Sequence, residues 1–149
     1  MNTSTDNIIV LTPIASGELL QPFPIYPRIV SEMKPLHNSR EVNINVNRSR
    51  LQRLFTSSSY FYDCKWVILA DSDVVISEPT LQMLVDNAAE GKTACVNTKG
   101  TTVGHVVTSC CILSVRDYLK VDYLTEPRNC QCKKLPNTFY IQGAYGYER

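Results

Sequence analysis

Two carboxylates one residue apart, Asp71 and Asp73, directly follow the apolar run Trp66-Val67-Ile68-Leu69-Ala70. Such a run reads as a strand buried on both faces, the usual state of a strand in a parallel sheet. Loops at the carboxyl ends of these strands are where open α/β sheets take ligands. Carboxylates buried there are expensive unless a positive group shares them. A divalent cation that also holds a diphosphate fits, because hard cations take oxygens from one or two carboxylates together with phosphates. Asp-Ser-Asp is also ordinary turn chemistry, since both residue types bond their own backbone. The sequence after it favours the ligand site. Ser77 is a helix cap, Pro79 suits a first turn, and Thr80 to Ala89 has amphipathic helical spacing.

Other residue types that could do chemistry are the cysteines, one histidine and a group of tyrosines. Cys64 and Cys95 sit beside or within apolar strands and read as small core residues. Cys110 and Cys111 are adjacent, so a strand points them to opposite sides. Cys130-Gln131-Cys132 with Cys110 and Cys111 does not have a standard zinc-ligand spacing, and a zinc cluster becomes conceivable only when His105 is added. In a cytosol these thiols stay reduced. His105 reads either as a neutral imidazole satisfied by backbone or as a further metal ligand. Tyr140, Tyr145 and Tyr147, interleaved with Gly143 and Gly146, suggest an aromatic lip for a sugar or base; the alternative is a loose chain end.

The elements that must position these residues alternate between strand and helix. Asn7 to Ile14 reads as a first strand. Gln21 to Pro35 carries Pro22, Pro24, Pro27 and Pro35 and is expected to be irregular, with at most one short helix. Val42-Asn43-Ile44-Asn45-Val46 alternates as a strand should, and Arg48 to Phe55 has a helical apolar face of Leu51, Leu54 and Phe55. After the Asp-Ser-Asp strand and its helix come a short strand, Thr93 to Asn97, a turn over Lys99 to Gly104, and a strand from Val106 to Leu113. Ser114 caps a short helix to Val121, and Thr138 to Ile141 is a last strand in a loop-rich tail. The pattern predicts an α/β sandwich.

With 149 residues, the chain is expected to be one domain over residues 1–149. A formal net charge of +1 without a basic stripe argues against nucleic acid as a partner. No apolar run approaches the roughly 20 residues that span a bilayer, so no transmembrane segment is expected. Residues 1–6 lack a signal-peptide pattern, and a cytoplasmic (intracellular) location is the expectation. So small a domain with an aromatic tail is a candidate to pair with a copy of itself.

From about Val42 to Tyr118, the order of pieces resembles the GT-A nucleotide-sugar glycosyltransferases. The matching parts are the strand with Asn43, the Arg48-Ser49-Arg50 helix start, Leu69-Ala70-Asp71-Ser72-Asp73, Pro79, and the step Cys111-Ile112-Leu113-Ser114-Val115-Arg116. Val10-Leu11-Thr12-Pro13 looks like the family's first strand. The resemblance implies a three-layer sandwich with a mixed, mostly parallel sheet, here reduced in size. It also implies that Asp73 coordinates Mn²⁺ or Mg²⁺, with Asp71 sharing the metal or binding ribose. Thr12 and Pro13 would line the nucleoside pocket, and Arg48 or Arg50 would meet diphosphate or base. Arginine suits that task because its planar fork matches phosphate oxygens. Some family members supply a late histidine to the metal, but from a position C-terminal to His105.

The chain departs from the family in two places. The family inserts a helix and a second strand where this chain has its Pro-rich segment. Inverting members also carry a carboxylate base near the acceptor, and the nearest acids here are Asp122 and Glu126. The leading expectation is a metal-dependent glycosyltransferase using a nucleoside-diphosphate sugar, with a glycan, protein or small molecule as acceptor. A non-catalytic GT-A-like module that binds nucleotide or protein is the alternative. A metal-dependent phosphate-ester hydrolase is a third.

Overall fold

The computed structural model describes residues 7–23, 25–98, 106–126 and 130–149. Its centre is a six-stranded sheet built from β1 (Ile8–Ile14), β2 (Arg28–Glu32), β3 (Trp66–Ala70), β5 (Thr93–Asn97), β6 (Cys110–Ser114) and β7 (Thr138–Tyr145), in the order β2-β1-β3-β6-β5-β7. β1 runs parallel to both β2 and β3, and β5 parallel to β7. β6 runs antiparallel to β3 and β5, so the sheet is mixed. A separate short ribbon joins β4 (Val74–Val75) to β8 (Tyr147–Glu148).

Strand alternation sorts the core into two layers. Ile8, Val10, Trp66, Ile68 and Ala70 face one side with Leu81, Leu84 and Val85 of α2 (Glu78–Asp86). Ile9, Leu11, Val67 and Leu69 face the other, with Leu51 and Phe55 of α1 (Arg40–Thr56) and Tyr118 of α3 (Val115–Tyr118). Burial on both faces explains why β1 and β3 are continuously apolar. The adjacent cysteines divide as the strand period requires, Cys110 into the first layer and Cys111 into the second. Ser77 caps α2 and Ser114 caps α3, each side chain accepting from the N–H three residues on.

Two expectations are corrected. The alternating stretch Val42 to Val46 is the first part of α1, not a strand. Ser39 caps this helix, accepting from the Val42 N–H at 3.3 Å. Its buried residues here are the asparagines. Asn43 exchanges two hydrogen bonds of 2.9 Å with the backbone of His37. Asn47 donates to the Ser31 carbonyl at 2.8 Å and accepts from the Ser31 hydroxyl at 2.5 Å. The first half of α1 is therefore held by amide side chains, Asn47 on β2 and Asn43 on the segment before the helix, and an apolar/polar pattern cannot register such a face. The second half docks through Leu51 and Phe55, as expected, while Leu54, expected on the same face, is exposed.

The Pro-rich stretch is the other correction. Right after Pro27 it forms β2, parallel to β1, with Val10 donating to the Pro27 carbonyl at 2.9 Å. β2 is an edge strand, and its prolines lie outside it, where no ladder hydrogen bond is lost. The tail is also more regular than expected. β7 extends to Tyr145, and β8 follows at once. Among the described residues, no helix is long and apolar enough to cross a membrane.

Candidate metal centre

Asp71 is the first residue beyond β3, so the buried strand delivers its carboxylate to one edge of the sheet. Backbone hydrogen bonds from three parts of the chain pin the turn that follows. The Asp71 N–H donates to the Ser109 carbonyl, the Ser72 carbonyl accepts from Gln21, and the Asp73 carbonyl accepts from Arg149, each at 2.8 Å. The Ser72 hydroxyl donates to the Glu18 carboxylate. Backbone bonds thus hold the shape of the turn that carries Asp71 and Asp73.

β4 leaves this turn and pairs antiparallel with β8, setting Val74 opposite Glu148. Carboxylate oxygens of Asp71, Asp73 and Glu148 consequently lie within 4.8 Å of one another, all three side chains half-buried. The Thr98 hydroxyl reaches Glu148 at 3.5 Å and the Ser109 hydroxyl at 2.6 Å, which ties the third acid to the segment that holds Asp71. Burial pushes the Asp71 carboxyl up to about 7; Arg48 opposes the rise, and Asp73, Glu148 and Glu18 add to it. Three oxygen donors at this spacing suit a hard divalent cation.

Asp71 and Asp73 border an open cleft of about 200 Å³ that is also lined by Pro13, Glu18, Arg40 and Arg48, among others. That is below the roughly 300 Å³ of a typical ligand pocket, so a nucleotide there would lie partly across the surface. Arg40, Ile44, Asn47 and Arg48 all line it from one face of α1, at helical spacing. Of the residues singled out by sequence, Pro13 and Arg48 line the cleft and Thr12 is buried in the same strand end. Thr12 Oγ1 and Arg48 Nε have no hydrogen-bond partner among the described residues. Arg50 is absent from the lining.

Asp122 and Glu126 are exposed and do not line the cleft. The Asp122 carboxylate closes its own turn, accepting from the Leu124 and Thr125 N–H groups at 3.0 and 3.1 Å and from the Thr125 hydroxyl. These bonds to Thr125 and Leu124 hold it below the usual carboxylate range. His105 lies outside the described residues. Tyr145 and Tyr147 are exposed, whereas the half-buried Tyr140 accepts the Val107 N–H at 2.8 Å through its hydroxyl.

Sequence reasoning missed Glu148, Glu18 and Arg40. Glu148 had a signal: in Tyr145-Gly146-Tyr147-Glu148 the tyrosines fall on one side of an extended chain, and Gly146 and Glu148 on the other. Gly146 permits the close approach. A Cβ there would meet Ile76 Cγ2 at 2.6 Å and the Val75 carbonyl oxygen at 2.9 Å. Gly146→Ala should therefore push β8 off β4, destabilise the fold by about 1–3 kcal/mol and displace Glu148. A fall in melting temperature with weakened Mn²⁺ binding is the expected result; unchanged Mn²⁺ binding would contradict it.

No protein-family model and no curated protein matches this sequence. Solved structures do resemble it. One is a glycosyltransferase involved in the glycosylation of the major capsid of PBCV-1, with a TM-score of 0.51 and 12% identity over 75% of this chain. The chain spans 62% of that protein's length. Another is A197 from STIV, with a TM-score of 0.52 and 10% identity over 96% of this chain and 85% of that one. The likeness is one of fold.

Proposed function

We propose that this chain is a metal-dependent glycosyltransferase that takes its sugar from a nucleoside-diphosphate donor. The observation that carries the reading is the convergence of Asp71, Asp73 and Glu148 beside Arg48, at the strand end where an α/β sheet takes its ligands. Its support in fold is the likeness to a glycosyltransferase, together with β2, a second strand in the segment where the sequence showed only prolines.

In this reading Asp73, Glu148 and Asp71 hold Mn²⁺ or Mg²⁺. The bound ion would neutralise charge that grows on the departing diphosphate. Arg48 shares that task from α1, and its guanidinium sits near enough to Asp71 to oppose the rise in that carboxyl's pKa. Pro13 and the strand end at Thr12 form a wall for the nucleoside. Glu18 fixes Ser72 and adds negative charge on the cation side.

A second reading, a nucleotide-binding module without transfer, is favoured by the exposed positions of Asp122 and Glu126, which leave the acceptor's base unassigned. Release of free nucleoside diphosphate from a panel of nucleotide sugars separates the two. With Mn²⁺ and a mixture of hydroxyl acceptors, the transferase reading predicts release from one donor. Water alone can serve as a slow acceptor. Nucleotide binding with no sugar loss from any donor would establish the second reading instead.

A further inference from the structure

The thiols of this chain fall into two environments. Cys95, Cys110 and Cys111 are buried and Cys64 is half-buried, whereas Cys130 is exposed, with Cys132 half-buried beside it. The Cys130 and Cys132 sulfurs are 3.1 Å apart, with the Cys132 thiol donating to the Cys130 sulfur. Small rotations would bring them to the disulfide bond length of about 2.05 Å.

The residue between them is what holds this geometry. Gln131 is buried, its Oε1 accepting from the Tyr123 hydroxyl at 2.7 Å and its Nε2 donating to Thr108 Oγ1 at 3.2 Å. The pair is thus carried on an anchored segment at the surface. Burial and the bond to Cys130 push the Cys132 thiol up to about 11. Cys130 is the more exposed of the two residues, and solution disulfides reach its sulfur first. Among the described residues, neither sulfur belongs to a group of three metal-ligating side chains.

We propose that Cys130 and Cys132 are a redox-active dithiol that exchanges with small-molecule disulfides, Cys130 attacking and Cys132 resolving. In the first step the Cys130 thiolate attacks one sulfur of the small disulfide. That S–S bond breaks, a mixed disulfide forms, and the departing thiolate takes up the Cys130 proton from solvent. In the second step Cys132 gives up its proton and attacks the Cys130 sulfur, and the second small thiol leaves carrying that proton. Two protein thiols are oxidised to one disulfide while the small disulfide is reduced to two thiols.

The test uses the full chain with oxidised glutathione, followed by alkylation and trypsin. Cleavage after Arg128 and Lys133 isolates residues 129–133, a peptide holding these two cysteines and no other. The expected product is this peptide unalkylated and lighter by two hydrogens. Cys132→Ser should accumulate the glutathione adduct on Cys130, and Cys130→Ser should react at least about tenfold more slowly. A fully alkylated peptide at excess oxidant would overturn the proposal. Equal adduct formation in the two variants would overturn it as well. Circular dichroism identical to the parent's qualifies each variant for comparison.

Discussion

Asp73→Ala is expected to abolish Mn²⁺-dependent binding of a nucleoside diphosphate while the protein stays folded. The turn keeps its shape because backbone groups of Ser109, Gln21 and Arg149 hold it, and none of those bonds uses the Asp73 side chain. Residues one layer behind a metal typically change its affinity by about 10–100-fold, so loss of a direct ligand should cost at least about 100-fold. Glu148→Gln keeps an oxygen donor and removes a charge, and a loss of about tenfold is expected. Calorimetric titration with Mn²⁺ at fixed nucleotide reads both, and circular dichroism reports the fold. Parent-like affinity in Asp73→Ala would remove that residue from the site. Parent-like affinity in Glu148→Gln would reduce the site to the two aspartates.

Asp71→Asn is expected to have the opposite effect on the metal-free protein: it should stabilise it. The Asp71 carboxyl titrates at about 7 when folded, against about 4 in an unfolded chain. Between those values the folded state carries a proton that the unfolded state has lost. Stability therefore falls as pH rises through that window, and the loss is complete above it. At pH 8 the penalty is about 2–4 kcal/mol, because a tenfold change in proton affinity is worth about 1.4 kcal/mol. The amide carries no charge to desolvate, so the variant should exceed its parent by that amount at pH 8 and match it near pH 4. Taking the difference between the two proteins at each pH cancels the titration of other carboxyls. Mn²⁺ should narrow the gap at pH 8 by stabilising the parent more than the variant. Because a proton competes for the same oxygen, the parent's Mn²⁺ affinity should drop as pH falls below 7. A gap independent of pH would show that burial does not strain this carboxyl.

What sequence could reveal followed from how each element is stabilised. β1 and β3 are buried on both faces, and their apolar runs announced them. The caps Ser77 and Ser114 were legible because a cap is a local device. α1 was half misread because the polar residues Asn43 and Asn47 face inward, bonded to His37 and Ser31. β2 was hidden among prolines that an edge strand tolerates. In the site, Asp71 and Asp73 stood out because they follow β3. Glu148 is distant in sequence, and only the pairing of β4 with β8 delivers it to the aspartates. Arg40 and Arg48 share a helical face of the cleft, and the strand reading of Val42 to Val46 had severed that connection.

The most direct test is the thermal stability of the parent protein against a panel of nucleoside diphosphates and their sugars, each with and without Mn²⁺. A ligand at a hundredfold excess over its Kd stabilises by about 2.7 kcal/mol, an effect large enough to shift the melting temperature visibly. The expected result is a shift that requires both Mn²⁺ and one particular nucleotide, and that vanishes in Asp73→Ala. No shift with any combination would contradict it and leave Asp71-Ser72-Asp73 as a structural turn.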